Sequence, residues 1–202
     1  MKYSFAAVLL FISFFSCGNH FGGMDKVNAY EFKFEDTELF NDYNKFINEM
    51  GLPQTFTTFK DTVEINSRED LDAALAKAME NGEHMMNLCY PGIKMDFISE
   101  DLIVPEIIDF RKTDKSIRFK NITFDKSFSV DDFKKLFPVA GSMSLDDSFS
   151  LFKMITKENL PKSKHYMVMR ESKDVPPGSE DGPVIEFTFD NDKLIYMFFA
   201  NF

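Results

Sequence analysis

Two cysteines, three histidines and a scatter of paired acids are the residues of this 202-residue chain best suited to chemistry. Cys89 would be a nucleophile if His84 or His165 drew off its proton, because the thiolate is the attacking species. Its surroundings, MMNLCYPG, are strongly apolar. Free cysteine is among the most buried residue types, so Cys89 reads as a structural core residue. No G-x-S-x-G elbow offers a serine instead. His20, His84 and His165 are far apart in sequence, and Glu83-His84 is not the H-E-x-x-H pattern of a zinc helix. His84 reads as an exposed turn residue after Gly82. No catalytic, cofactor-binding or metal-ligating residue is expected, and no cofactor.

The acids lead to the same place. Glu100-Asp101, Asp146-Asp147, Glu180-Asp181 and Asp190-Asn191-Asp192 never meet the D-x-[DN]-x-[DN]-G spacing of a calcium loop. Asp and Asn between apolar stretches are turn formers, and these groups read as solvated turns. Nothing selects two of the many acids as a glycosidase pair. Met85, Met86, Met167 and Met169 read as core filler. Asn121-Ile122-Thr123 has glycosylation spacing and nothing more. The net charge of −10, with no Lys/Arg cluster to offset it, argues against binding nucleic acid. The absence of Trp argues against a sugar-stacking platform.

The N-terminus carries an address. Lys2 followed by the apolar run AAVLLFISFF, residues 6 to 15, has the layout of a secretory signal over residues 1 to 16, and the run is too short to span a bilayer as a helix. Cys17 then has three fates. Cleavage before it makes it the first residue, cleavage after Gly18 removes it, and an oxidising compartment could pair it with Cys89. FFSC followed by Gly18 resembles the lipobox of bacterial envelope lipoproteins, although Phe14 and Phe15 stand where Leu and Ala or Ser are usual. The resemblance implies lipidation at Cys17, a palmitate-type membrane anchor and residence in the cell envelope, facing the periplasm or the cell surface. GNHFGGMDKVN fits a flexible tether over residues 17 to 29.

The remaining chain, residues 30 to 202, is expected to be one α+β domain: an antiparallel sheet with helices packed on one face. YEFKFED places Tyr30, Phe32 and Phe34 on one side of a strand. Residues 36 to 51 form an amphipathic helix through Leu39, Phe40, Tyr43, Phe46, Ile47 and Met50, started by Asp36 or Thr37 and ended by Gly51. Residues 59 to 71 echo residues 119 to 133, each leading into a serine-capped helix, Ser67 with Asp70 and Ser129 with Asp132. Gly82 stops the first of these helices and Pro138 the second. Residues 92 to 104 echo 184 to 196, each an alternating strand, an acidic turn and a second strand. The echoes outline two possible repeats, 59–118 and 119–202. FSLFKMI and HYMVMRE are additions to the second, and the Pro- and Gly-rich segment 172 to 183 reads as an exposed loop.

Helix then hairpin, twice over, is similar in pattern to tandem-repeat beta-lactamase-inhibitor-like and small outer-membrane-assembly lipoproteins, with no specific motif to carry function. The expected role is a non-enzymatic binding or assembly module. It would be held to a membrane by its N-terminal lipid and would act on another envelope protein through a sheet face or the 172–183 loop. The alternative is an envelope hydrolase whose site is assembled from scattered residues.

Overall fold

A computed structural model of the chain describes residues 25–34, 36–39, 41–145, 150–158, 160–171 and 183–200. The signal segment, Cys17, His20, the acidic pairs at 146–147 and 180–181 and the loop at 172–182 lie outside the described residues. The fold is sheet-rich α+β. In chain order the strands are β1 (Lys26–Asn28), β2 (Phe32–Phe34), β3 (Thr37–Glu38), β4 (Thr55–Thr58), β5 (Thr62–Glu64), β6 (Met86–Tyr90), β7 (Ile93–Ser99), β8 (Leu102–Asp109), β9 (Ile117–Phe119), β10 (Ile122–Phe124), β11 (Lys164–Glu171), β12 (Val184–Asp190) and β13 (Lys193–Ala200). The helices are α1 (Tyr43–Met50), α2 (Arg68–Glu80), α3 (Val130–Leu136), α4 (Pro138–Ser142) and α5 (Leu151–Thr156). No helix among the described residues is long and apolar enough to cross a membrane.

Nine strands form one sheet in the order β1-β11-β12-β13-β8-β7-β6-β4-β5, and β10-β9-β2-β3 form a smaller one. All pairs are antiparallel except β1 with β11. Two three-stranded meanders, β6-β7-β8 and β11-β12-β13, meet through their last strands. Period-2 alternation decides which side faces the core. Ile93, Met95 and Phe97 of β7 and Ile185, Phe187 and Phe189 of β12 are all buried in one apolar cluster. The small sheet packs on that same face, Phe32 meeting Phe199 edge-on and Phe124 lying against Phe187.

The capping serines act as their spacing predicts. Ser67 accepts from the Asp70 amide while the Asp70 carboxylate takes the Ser67 amide, a closed capping box. Ser129 caps α3 through the Asp132 amide. Pro138 ends the run of α3 and then opens α4, where its missing N–H costs nothing. The β12–β13 hairpin turns on Asn191 and Asp192, both at positive φ, the two-residue geometry that matches strand twist.

Four expectations are corrected. The first helix begins at Tyr43, not Asp36: Thr37 and Glu38 pair back onto β2, and the cap is Asp42, whose carboxylate takes the Lys45 amide. Tyr30 does not share a strand face with Phe32 and Phe34. It sits in a 3-10 turn, exposed, while both phenylalanines are buried. Residues 26 to 29, assigned to the tether, belong to β1 and that turn. Finally, the helices do not share one face. α1 to α4 bury Phe46, Leu71, Phe133 and Ala140 in the main core, whereas α5 buries Leu151 against Met167, Met169 and Ala200 on the reverse of the sheet.

Candidate functional site

On the reverse face, neighbouring strands place polar side chains in one row. His165 of β11 stands opposite Thr188 of β12, Thr188 opposite Tyr196 of β13, and Tyr196 opposite Asp109 of β8. Cross-strand partners share a face, so the row is fixed by register. Helix α5 lies over it, with the Phe152 ring edge-on to Tyr196 at 4.9 Å. Glu186, one step along β12, points up into the first turn of α5. It takes the Leu151 amide at 2.6 Å, the Ser150 hydroxyl at 2.7 Å and the Thr188 hydroxyl at 3.2 Å. A carboxylate here satisfies helix N–H groups that would otherwise be orphaned and complements the helix dipole.

His165 Nδ1 lies 3.1 Å from Glu186 Oε1 and 2.9 Å from Ser150 Oγ. Both neighbouring hydroxyls, Ser150 and Thr188, are placed to give their protons to Glu186, and with the ring proton on Nδ1 the imidazole would donate to the same carboxylate. On the other side of the ring, Nε2 lies 3.1 Å from Ser163 Oγ. Ser163, His165 and Glu186 thus stand in the order nucleophile, base and acid. The imidazole is only 1% exposed and Glu186 is fully buried, and Ser163 Oγ is also placed to donate to the Leu160 carbonyl at 2.8 Å.

The row ends in an ion cluster. Arg111 holds Asp109 in a fork, Nε to Oδ1 and Nη2 to Oδ2 at 2.8 Å each, and reaches Glu158 at 2.5 Å. Burial alone would raise the Asp109 carboxyl, but Arg111 and Lys112 outweigh it and hold the group below the ordinary range. Burial, with Asp109 nearby, pushes the Tyr196 phenol up.

A second polar group occupies the half of the reverse face that α5 leaves uncovered. Asn87, Asp96 and Glu106 lie on β6, β7 and β8. Glu106 is the extra residue of a bulge, since Lys94 pairs with Ile107 and Met95 with Pro105, and Pro105 is tolerated in a strand because it sits there. Asn87 donates to both carboxylates, and Lys94 pairs with Glu106 at 2.6 Å. Burial, with Glu106 alongside, pushes Asp96 up to about 7. Glu106 has Lys94 as its ion-pair partner, and the raised Asp96 carboxyl is the one that carries the proton between them. The unfolded chain gives that proton up near pH ~4. Between there and about 7 the folded chain binds more protons, and stability falls as pH rises through that window, then levels off. Asp96→Asn keeps a donor facing Glu106 and removes the titration. Urea denaturation from pH 4 to 8 is expected to show a decline of a few kcal/mol in the wild type and a flat profile in the variant. Equal slopes would place the proton elsewhere.

Cys89 is half-buried on this reverse face, within 3.7 Å of Thr57 Oγ1, rather than in the core. It is five strand spacings from His165, roughly 24 Å, so that histidine cannot be its base. His84 is exposed just before β6, as expected. Glu100-Asp101 and Asp190-Asn191-Asp192 fall at the β7–β8 and β12–β13 turns. Among the described residues, no group of three or more His, Cys, Asp and Glu is arranged to hold a metal ion.

The accessible feature lies at one corner of the core face. A cleft of about 310 Å³ opens between the β4–β5 hairpin and α2, lined by Phe56, Val63, Ala74 and Ala78 among others. Two ion pairs cross its mouth, Lys60 with Glu83 at 2.5 Å and Lys77 with Asp61 at 3.9 Å. Val63 in the cleft is more than one-third exposed, as are Met79 near the end of α2 and Met85 just before β6, and Phe59 at the hairpin tip is 75% exposed. The tip is a two-residue turn: the Thr58 amide bonds the Asp61 carbonyl, and the Thr58 hydroxyl takes the amides of Lys60 and Asp61. Sequence reading missed this corner, although Phe59 beside a charged turn and Val63 between Thr62 and Glu64 were visible in it. Comparison with protein families, with curated proteins and with solved structures found no match to this chain.

Proposed function

We propose that the protein is a membrane-anchored envelope lipoprotein that works as a non-enzymatic binding module, acting on another envelope protein through the corner formed by the β4–β5 hairpin and α2. The carrying observation is a contrast in access. His165 and Glu186 are buried beneath α5, while Phe59 at the tip of the β4–β5 hairpin and Val63 in the open cleft beside it are exposed. Contiguous exposed apolar surface rimmed by charge marks interaction sites. The anchor rests on FFSC and the short apolar run before it. Beneath this lies a proposed duplication of residues 59–118 and 119–202, supported by the two meanders that meet through β8 and β13.

The anchor is tested by expressing Cys17→Ala beside wild type with labelled palmitate and fractionating membranes. Wild type should carry label and sediment with membranes, and the variant should do neither. Equal labelling or equal retention overturns it. A second reading, a hydrolase, has one observation behind it: the Ser163–His165–Glu186 alignment at 3.1 Å per contact. A fluorophosphonate probe that labels wild type and not Ser163→Ala would establish that reading in place of the first.

A further inference from the structure

The cleft corner also contains an open sheet edge. Among the described residues, β5 ends the nine-stranded sheet and pairs only with β4. In an antiparallel ladder, alternate residues bond inward. The Asp61 carbonyl bonds Thr58 and the Ile65 amide bonds Gln54, so Asp61, Val63 and Ile65 face β4. Thr62 and Glu64 therefore turn their N–H and C=O groups outward. Extending this rests on the binding reading above. We infer that the partner docks by strand addition, an extended segment with alternating apolar and basic residues pairing with β5.

The alternation follows from the face each side chain takes. Neighbours across a pair share a face. Partner residues beside Val63 enter the cleft lined by Phe56 and Ala74, so they are apolar. Partner residues on the other face lie beside Thr62 and Glu64. Glu64 is exposed and has no ion-pair partner among the described residues, whereas both lysines at the cleft, Lys60 and Lys77, are already paired. With a chain charge of −10, the field at this edge attracts a basic strand and repels an acidic one. Main-chain bonds supply affinity in this mode, and the alternate pockets supply selectivity.

The test uses a fluorescent heptapeptide alternating lysine and valine, a counterpart alternating glutamate and valine, and the full chain. Thr62→Pro removes one outward N–H and leaves the bonds to β4 in place, a substitution that edge strands tolerate. The lysine peptide is expected to slow amide exchange at Thr62 and Glu64. It should bind Thr62→Pro at least tenfold more weakly at an unchanged melting temperature, and the glutamate peptide should not bind. Equal binding by Thr62→Pro, or unprotected amides in the presence of the lysine peptide, overturns strand addition. If binding is then still lost in Phe59→Ser, the corner remains a binding surface and only the mode fails. A concentration-dependent dimer abolished by Thr62→Pro would make a second copy the occupant and also overturn the proposal.

Discussion

Glu186→Ala is expected to destabilise the fold by about 3–5 kcal/mol, read as a shift in urea denaturation midpoint. Glu186 is fully buried and accepts from two hydroxyls and the Leu151 amide, with His165 Nδ1 beside it. Alanine leaves these donors without an acceptor in a site closed to water, and each unmet buried donor costs roughly 1–3 kcal/mol. The damage should be local first. α5 has only six residues, too few to persist on helix propensity alone, and it is held by this carboxylate and by the packing of Leu151 and Phe152. Hydrogen exchange over residues 151 to 156 should rise before that of β12 itself. Glu186→Gln keeps one acceptor but turns an NH₂ toward other donors, and a smaller loss of about 2 kcal/mol is expected. A loss below 1 kcal/mol for the alanine variant would mean that α5 is held by apolar packing alone.

This carboxylate also shows where the sequence stopped being legible. VIEFTFD reveals that Ile185, Phe187 and Phe189 share a face, and so that Glu186 and Thr188 share the other. Alternation says nothing about what covers that other face. A polar residue opposite a core face normally meets water, and Glu186 reads that way until α5 is placed over it. FSLFKMI was visible as an apolar segment, but a run that short has the same pattern whether it covers the front or the back of a sheet. The signals that held were those with local chemistry: Ser67 and Ser129 as caps, Gly51 and Gly82 at positive φ after their helices, and Asn191-Asp192 as a turn. The start of α1 failed for a nonlocal reason. Leu39 and Tyr43 fit a helical period, yet Thr37 and Glu38 gain more by pairing with β2, whose Phe34 and Phe32 are buried beside β9. The corner beside β5 was missed because its parts, β4, β5 and the end of α2, are joined only by tertiary packing.

The 25 phenylalanines serve two different ends, and paired substitutions separate them. Phe133→Ala should cost about 3–5 kcal/mol. Its ring is fully buried on α3 and lies 5.1 Å from Phe137, 4.9 Å from Tyr166, 5.0 Å from Phe187 and 5.6 Å from Phe189. These partners come from the junction of α3 and α4, from β11 and from β12, so the side chain clamps the helix to the second meander, and a cavity there cannot close without moving a strand. Phe133→Leu retains most of the volume and should cost under ~1.5 kcal/mol. Phe59→Ala, by contrast, removes a ring that is 75% exposed and should change stability by no more than about 0.5 kcal/mol, while weakening capture of the partner at the cleft. A Phe59 variant as unstable as Phe133→Ala would show that the hairpin tip is a packing element, and the exposed corner would lose its claim to be a surface kept apolar for binding.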